Sequence, residues 1–111
     1  VLLDVPCTNT GVIRRRPDAR WRFSAERLDE ARRVQRELLD GAAPLLAQGG
    51  RLVYSTCSLE PEENMEQIRE WIASHADFEL ADTCFAFPPE SRTDGAFAAL
   101  LRRVGRVAPA A

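Results

Sequence analysis

The sequence predicts an α/β fold, and three observations lead to that class. Stretches typical of strands and helices alternate in the order strand, helix, strand, helix, strand, strand, which favours a sheet with parallel central strands. Two helices are too few to cover both faces of such a sheet. A GxGxxG nucleotide loop is absent, because the Gly49–Gly50 pair ends a helix instead. We therefore expect the second half of a doubly wound fold, whose cofactor-binding first half is missing.

The composition is that of one small globular domain. Hydrophobic residues make up 45% of the 111 residues, charged residues make up 29%, and the net charge is −2. That charge gives no overall attraction to nucleic acid, so a polyanion site would have to be local. No apolar run reaches membrane-spanning length and no signal peptide is visible. Three widely spaced cysteines predict neither a disulfide framework nor a metal site, and they favour reduced thiols in the cytoplasm.

The first strand comes at the very start of the chain. Residues 1–5 read as a buried strand, and Pro6 ends it because proline removes a donor from the sheet. Asp4 and Cys7 should then project near the carboxyl edge of the sheet. Asp4 alone is a weak signal, since a carboxylate there could equally stabilise the turn.

Residues 14–22 are the one compositional outlier, with five arginines and a tryptophan. Arginine binds phosphate with two parallel hydrogen bonds, and tryptophan offers a face for a base. The cluster favours a local phosphate-binding loop suited to RNA. The alternative is a solvated face, or arginines paired with Glu26, Asp29 and Glu30. The residues assigned to RNA contact are Pro6, Arg14, Arg15, Arg16, Arg20, Trp21 and Arg22.

An amphipathic helix should follow, capped by Ser24. Gly41 and Pro44 should weaken its last turns, and Gly49–Gly50 should end it and turn the chain into the next strand. The apolar residues at helical spacing are Leu28, Ala31, Val34, Leu38, Ala42 and Leu45.

Residues 51–64 read as a strand, a tight turn and a helix start, with Cys57 at the turn. Pro61 suits the first turn of a helix, where Glu62 and Glu63 favour the dipole. Cys57 should therefore lie at the carboxyl end of a strand, where ligands bind in α/β sheets, and a helix N-terminus can lower the pKa of its thiol. The alternative is a buried, inert cysteine.

The last third predicts a helix and two strands. The helix carries an apolar face of Met65, Ile68, Trp71 and Ile72, and His75 near its end should interact with the helix dipole. We expect a short strand at residues 78–81, irregular structure at 83–93 with Cys84 incidental, and a last strand at 95–103. Residues 1–105 should form one unit and 106–111 a flexible tail.

Two cysteine motifs carry a family resemblance. Residues 4–11, Asp-Val-Pro-Cys-Thr-Asn-Thr-Gly, resemble the D-x-P-C-S-x-x-G motif of the Sun/Nop2 (RsmB-like) RNA cytosine-5 methyltransferases. Residues 55–58, Ser-Thr-Cys-Ser, with Pro61, Glu63 and Asn64, are similar to that family's second motif, S-T-C-S-x-x-P-x-E-N. The order and spacing of the two motifs are highly specific. Thr8 departs from the usual serine.

The resemblance implies the C-terminal half of a Rossmann-like class I methyltransferase fold, with a mostly parallel sheet and an antiparallel last strand. It implies S-adenosylmethionine as cofactor, bound mainly by the missing half and bordered here by Asp4 and Pro6. Cys57 corresponds to the nucleophile that attacks cytosine C6, Cys7 to a second cysteine that helps release the product, and Asp4 to the acid that contacts the base. The implied partner is RNA, rRNA before tRNA.

Three function classes follow, and they differ in what they need from the thiols. The first is this methyltransferase, expected to be inactive as the 111-residue piece alone. The second is a non-catalytic RNA-binding module that uses the arginine loop. A redox or metal domain is disfavoured, because zinc sites need four N/S ligands and the chain has three Cys and one His, far apart. Methyl transfer requires the Cys7 and Cys57 thiols to meet in one pocket.

Incomplete burial of the predicted sheet also suggests an oligomer paired through an exposed sheet edge.

Overall fold

The computed structural model describes residues 1–8, 10–12, 23–86 and 94–104, which form a four-stranded mixed sheet packed against two helices. The strands are β1 (Leu2–Asp4), β2 (Arg51–Thr56), β3 (Phe78–Ala86) and β4 (Ala96–Arg103), and the helices are α1 (Ala25–Ala42) and α2 (Met65–Ala73). Short 3₁₀ turns lie at Thr10–Val12, Ala43–Leu45 and Pro61–Glu63.

The sheet has the order β1-β2-β4-β3. Strand β1 is parallel to β2, whereas β4 is antiparallel to both of its neighbours, β2 and β3. Three strands therefore run in one direction and the last strand runs against them. This arrangement confirms the predicted α/β sheet with an antiparallel last strand.

The core lies on one face of the sheet. Burial alternates along β2 and β4, as expected for strands that bury a single face. The helices α1 and α2 cover this face through Leu39, Ile68 and Trp71. The remaining core residues are Val5, Ala42, Ala43, Leu46, Leu52, Tyr54, Phe78, Phe97, Ala99 and Leu101. Neither described helix has the combination of length and apolar composition needed to cross a lipid bilayer.

The local signals around α1 act as predicted. The Ser24 hydroxyl accepts a hydrogen bond from the backbone N–H of Arg27 at 3.2 Å, which is an N-cap. After Ala42 the helix tightens into the 3₁₀ turn that contains Pro44. Gly49 has a φ of 81°, a conformation that glycine adopts without strain, and it turns the chain toward β2.

The predicted apolar face of α1 is wrong in part. Leu38 and Leu45 are 38% and 76% exposed, whereas Gln35 and Leu39 are fully buried. The helix is rotated so that Gln35 faces inward, because its side-chain amide donates to the Pro6 carbonyl at 2.9 Å. A hydrophobic pattern cannot register a buried residue that is held by hydrogen bonds.

Strand β3 is longer than predicted. The sequence placed a short strand at residues 78–81 and irregular structure from residue 83, but β3 continues to Ala86. Its second half pairs with β4, from Thr83 opposite Ala99 to Ala86 opposite Ala96, after a register shift between Leu80 and Asp82. These residues are mostly exposed, so the strand lacks the alternating pattern that would have revealed it. Residues 87–93 lie outside the described residues.

Helix α2 joins α1 through its last turn. Ile68 and Trp71 are buried as predicted. His75 stacks on Trp71 with ring centroids 3.9 Å apart, and its Nδ1 lies 2.7 Å from the Trp71 carbonyl oxygen. This contact with a carbonyl of the last turn confirms the predicted place of His75 at the helix end. The Trp71 indole N–H also donates to Asp40 of α1 at 2.9 Å.

Candidate active site

The two motif cysteines meet at the carboxyl edge of the sheet. Cys7 lies three residues beyond β1, and Cys57 directly follows β2. Because β1 and β2 are parallel, the segments that follow these two strands leave the sheet at the same edge. The two Sγ atoms are 3.2 Å apart, and both residues are partly buried.

The contact with Cys7 changes the acidity of Cys57. The pKa of Cys57 is lowered from 9.0 to about 7, chiefly by the hydrogen bond from Cys7 and further by a backbone hydrogen bond. Together these outweigh partial burial and the negative charges of Asp4 and Glu63, which raise that pKa. The thiolate, not the thiol, is the nucleophile. At neutral pH, Cys57 is therefore prepared for attack on an electrophilic carbon.

This acidity predicts a pH profile. Alkylation of Cys57 by iodoacetamide should rise with a midpoint near pH 7, because a lowered pKa keeps the thiolate populated above that pH and protonates it only below. In the Cys7→Ala variant the hydrogen bond is gone, and the midpoint should move up toward 9.0. Peptide-resolved mass spectrometry measures both rates. An identical midpoint in the two proteins would contradict the assigned role of Cys7.

A cavity opens beside Cys57. Its volume of about 320 Å³ is well above the roughly 30 Å³ that a water molecule occupies in the liquid, so a planar base has room there. Asp4 lies on its wall, and the Asp4 carboxylate accepts a hydrogen bond from the Ser55 hydroxyl at 3.1 Å. The lining residues are Asp4, Ser55, Thr56, Cys57, Cys84, Ala86, Ala96, Phe97 and Ala98.

The sheet register explains why these distant residues share one cavity. Asp4 pairs with Ser55, Ser55 with Ala98, and Ala98 with Cys84, which makes one row across all four strands. Paired residues point to the same face of a sheet. Cys84 was taken as incidental, but this row places it on the wall of the cavity that also contains Cys57.

Sequence reasoning placed Glu63 at a helix start and in the second cysteine motif, but it missed the contacts of Glu63 with Thr8 and Ser58. Glu63 is fully buried. Its carboxylate accepts hydrogen bonds from the Thr8 N–H at 2.8 Å, the Thr8 hydroxyl at 2.7 Å and the Ser58 hydroxyl. Thr8 retains the hydroxyl of the usual serine and so retains this contact. The signal that could have found Glu63 is its fixed place in the second cysteine motif.

Asn64, the next residue, fixes the turn that carries Cys57. Its side-chain oxygen accepts from the Thr56 hydroxyl at 2.6 Å, and its side-chain nitrogen donates to the Ser58 carbonyl at 2.8 Å. The Thr56 hydroxyl in turn accepts from the Ser58 N–H at 3.2 Å. The residues on both sides of Cys57 are therefore held by one amide side chain.

Gly11 allows the two cysteine loops to approach each other. Its N–H donates to the Cys57 carbonyl at 2.8 Å, and its own carbonyl accepts from the Gly95 N–H at 2.7 Å. A Cβ atom at Gly11 would lie 2.4 Å from the Cys57 carbonyl oxygen, so any side chain there would push the loops apart. The glycine of the first motif is explained by this close backbone contact.

The arginine cluster lies outside the described residues. The RNA-contact assignments of Arg14, Arg15, Arg16, Arg20, Trp21 and Arg22 therefore stay predictions, as does the tail at 106–111. Pro6 is described; it is exposed, next to the cysteine loop, and its carbonyl is held by Gln35. Within the described ranges, no group of three or more His, Cys, Asp or Glu side chains is placed to hold a metal ion.

Comparison with known proteins gives the family. The family model described as "16S rRNA methyltransferase RsmB/F" matches residues 1–102. The chain belongs to this family. The RsmB/F-family chain is 46% identical over 83 residues to the ribosomal RNA small subunit methyltransferase B of Pectobacterium atrosepticum and 41% identical over 103 residues to that of Proteus mirabilis. These alignments cover 75% and 93% of the chain.

Two solved structures resemble this RsmB/F-family chain. One, titled "Crystal Structure of PH0851", superposes with a TM-score of 0.87 at 42% identity over 93% of the chain. The other is NSun6 from Pyrococcus horikoshii with SFG, with a TM-score of 0.81 at 30% identity over 94% of the chain. The chain spans only 19% and 24% of the two curated relatives and 26% and 29% of the two solved chains.

Proposed function

We propose that the protein is the catalytic C-terminal part of an RNA cytosine-5 methyltransferase that acts on 16S rRNA in the cytoplasm. The observation that carries the proposal is a cavity of about 320 Å³ lined by Cys57 and Asp4, with the Cys7 Sγ atom 3.2 Å from that of Cys57; Cys7 itself is not among the lining residues. Membership of the RsmB/F family supports rRNA as the substrate.

Cytosine C5 is a weak nucleophile, and the Cys57 thiolate supplies the activation it needs. Sγ of Cys57 forms a bond to C6, the C5=C6 double bond opens, and C5 gains the electron density of an enamine. Asp4, in its protonated form, would donate a hydrogen bond or its proton to N3 and stabilise the charge that develops in the ring. The base must leave its stack to enter the cavity.

The end of the reaction needs a second group. Once C5 is methylated, the C5 proton leaves to a base, the double bond re-forms, and the bond between C6 and Cys57 breaks. A role for Cys7 in this phase is supported by the 3.2 Å between its Sγ and the sulfur that has to depart. A hydrogen bond from Cys7 would stabilise the thiolate as it departs from C6.

S-adenosylmethionine supplies the methyl group when it is bound. A relative of the chain was solved with SFG, an analogue of this cofactor, which supports that choice. The described residues fit the cofactor along one edge: Asp4 and Pro6 are exposed at the end of β1, and Asp4 lies on the cavity wall. These are the residues that would border it.

Trapping on 5-fluorocytosine RNA tests the function. After attack by Cys57 and methylation, fluorine at C5 cannot leave as a proton does, so the bond to Cys57 should persist. The complete protein, 5-fluorocytosine 16S rRNA and labelled S-adenosylmethionine should give a labelled protein–RNA band that survives denaturation. RNA with ordinary cytosine is the control and should take up label without a stable band. Absence of both label and band would overturn the proposal.

The second candidate is a non-catalytic RNA-binding module. It depends on residues 14–22, which lie outside the described residues. In that case RNA binding would persist in thiol variants and would fall steeply with salt.

A further inference from the structure

Glu63 joins the two cysteine loops through a single carboxylate. Thr8, which follows Cys7, donates both its N–H and its hydroxyl to Glu63, at 2.8 and 2.7 Å. Ser58, which follows Cys57, donates its hydroxyl to the same carboxylate. The two loops lie about fifty residues apart in sequence, and Glu63 contacts the residue that follows the cysteine in each of them.

The carboxylate itself is firmly placed. Helix α1 contributes Gln35, whose amide donates to Glu63 at 3.2 Å and to the Pro6 carbonyl at 2.9 Å. Strand β2 contributes Tyr54, whose hydroxyl donates to the Glu63 carbonyl at 2.6 Å. Burial raises the pKa of Tyr54, so this hydroxyl stays protonated and remains a donor. Glu63 is thereby fixed to both layers of the fold.

A carboxylate in this place needs an explanation. Burying a charged group is costly unless hydrogen bonds replace its water, and an apolar residue would fill the space at lower cost. Hydrogen bonds to an ionised acceptor are roughly twice as strong as neutral ones. Four neutral donors from Thr8, Ser58 and Gln35 converge here, which suits a group whose task is to hold separate segments together.

We propose that Glu63 is a positioning residue that clamps the loops of Cys7 and Cys57 together and thereby sets the contact between their thiols. The inference deepens the proposed function and rests on it for the link to methyl transfer. The clamp acts through Thr8 and Ser58, the residues that follow the two cysteines.

The charge of Glu63 and its role as a clamp predict opposite changes in the pKa of Cys57 when Glu63 is replaced. The negative charge of Glu63 raises the pKa of Cys57, so removing the charge alone would lower that pKa further below about 7. The hydrogen bond from Cys7 is the largest cause of the lowered pKa. If the loops separate, this bond is lost and the pKa rises. The direction in which the pKa of Cys57 changes when Glu63 is replaced therefore distinguishes a structural clamp from an effect of charge alone.

The test is the Glu63→Gln variant of the complete protein, in a Cys84→Ser background. The first measurement is the equilibrium between the Cys7–Cys57 thiol pair and its disulfide in glutathione buffer, which reports how close the thiols are held. We expect it to shift about tenfold or more toward the dithiol, the size expected for losing a hydrogen bond to a charged group. The second is the iodoacetamide pH profile of Cys57, whose midpoint should move up from about 7 toward 9.0.

Glu62→Gln is the matched control. Glu62 is the residue next to Glu63, it is half-buried, and this substitution removes the same charge. It should leave the disulfide equilibrium as in the parent protein. An unchanged equilibrium in Glu63→Gln, or a midpoint that falls, would overturn the clamp. If circular dichroism shows Glu63→Gln to be unfolded, the Thr8→Val variant replaces it, because Thr8→Val removes the hydroxyl that donates to Glu63. The disulfide equilibrium and the alkylation midpoint should then shift in the same directions as expected for Glu63→Gln, but by less. If neither of them shifts, the clamp is overturned.

Neither measurement uses RNA or methyl transfer, so the two proposals can fail separately. A changed thiol pair in a protein that never methylates RNA would overturn the proposed function and leave the clamp standing. Methylation by Glu63→Gln at the parent rate, with an unchanged thiol pair, would overturn the clamp and leave the function standing.

Discussion

The Cys57→Ala variant of the complete protein is expected to lose methyl transfer by roughly four orders of magnitude or more, the scale seen when an enzyme loses its nucleophile. Without a thiolate at C6, cytosine C5 never gains the electron density to accept a methyl group. The covalent band on 5-fluorocytosine RNA should vanish as well. Methyl incorporation into 16S rRNA and the denaturing gel measure the two effects.

The control for Cys57→Ala is Cys57→Ser, which has nearly the volume of cysteine and keeps a hydrogen-bonding atom near Cys7. A hydroxyl at neutral pH is a far weaker nucleophile than a thiolate with a pKa of about 7. Both variants should therefore be inactive while they melt close to the parent temperature. Full activity in either variant would refute the role of Cys57 as nucleophile.

The Cys7→Ala variant is expected to accumulate covalent protein–RNA complex on ordinary RNA, without any fluorine at C5. The reason is that Cys7 Sγ lies 3.2 Å from the sulfur of Cys57, where its hydrogen bond can stabilise the departing thiolate. When that group is removed, attack continues but release slows. The fraction of RNA shifted on a denaturing gel should rise from near zero to a large share of the protein.

Loss of Cys7 also has an opposite, weaker effect on attack, since the pKa of Cys57 should then rise toward 9.0. Adduct formation by Cys7→Ala should therefore be slow at pH 7 and recover when the pH is raised, because more thiolate is present. Complete absence of adduct at every pH would mean that Cys7 is the attacking group, and the roles of the two cysteines would be exchanged.

Much of the fold follows from signals that act within a few residues. Ser24 caps a helix as predicted, and the β-prone run of Leu52, Val53 and Tyr54 lies in a strand as predicted. The helix ends at Ala42, before the Gly49 that was expected to end it, and Gly49 instead turns the chain toward β2. The two motifs also predict that Cys7 and Cys57 lie at strand ends and meet in one pocket. The adjacency of β1 and β2 and their shared direction, which bring the two Sγ atoms to 3.2 Å, were decided by the tertiary structure.

The tertiary structure alone decided which groups surround these thiols. Glu63 and Thr8 are 55 residues apart, and nothing in the local pattern of either one reveals their contact. The same holds for Gln35, which turns a face of α1 inward through hydrogen bonds, and for Cys84, which reaches the cavity because β3 extends further along β4 than its own residues indicate. Local sequence determines where the backbone turns, whereas contacts between distant polar groups depend on how the finished layers pack.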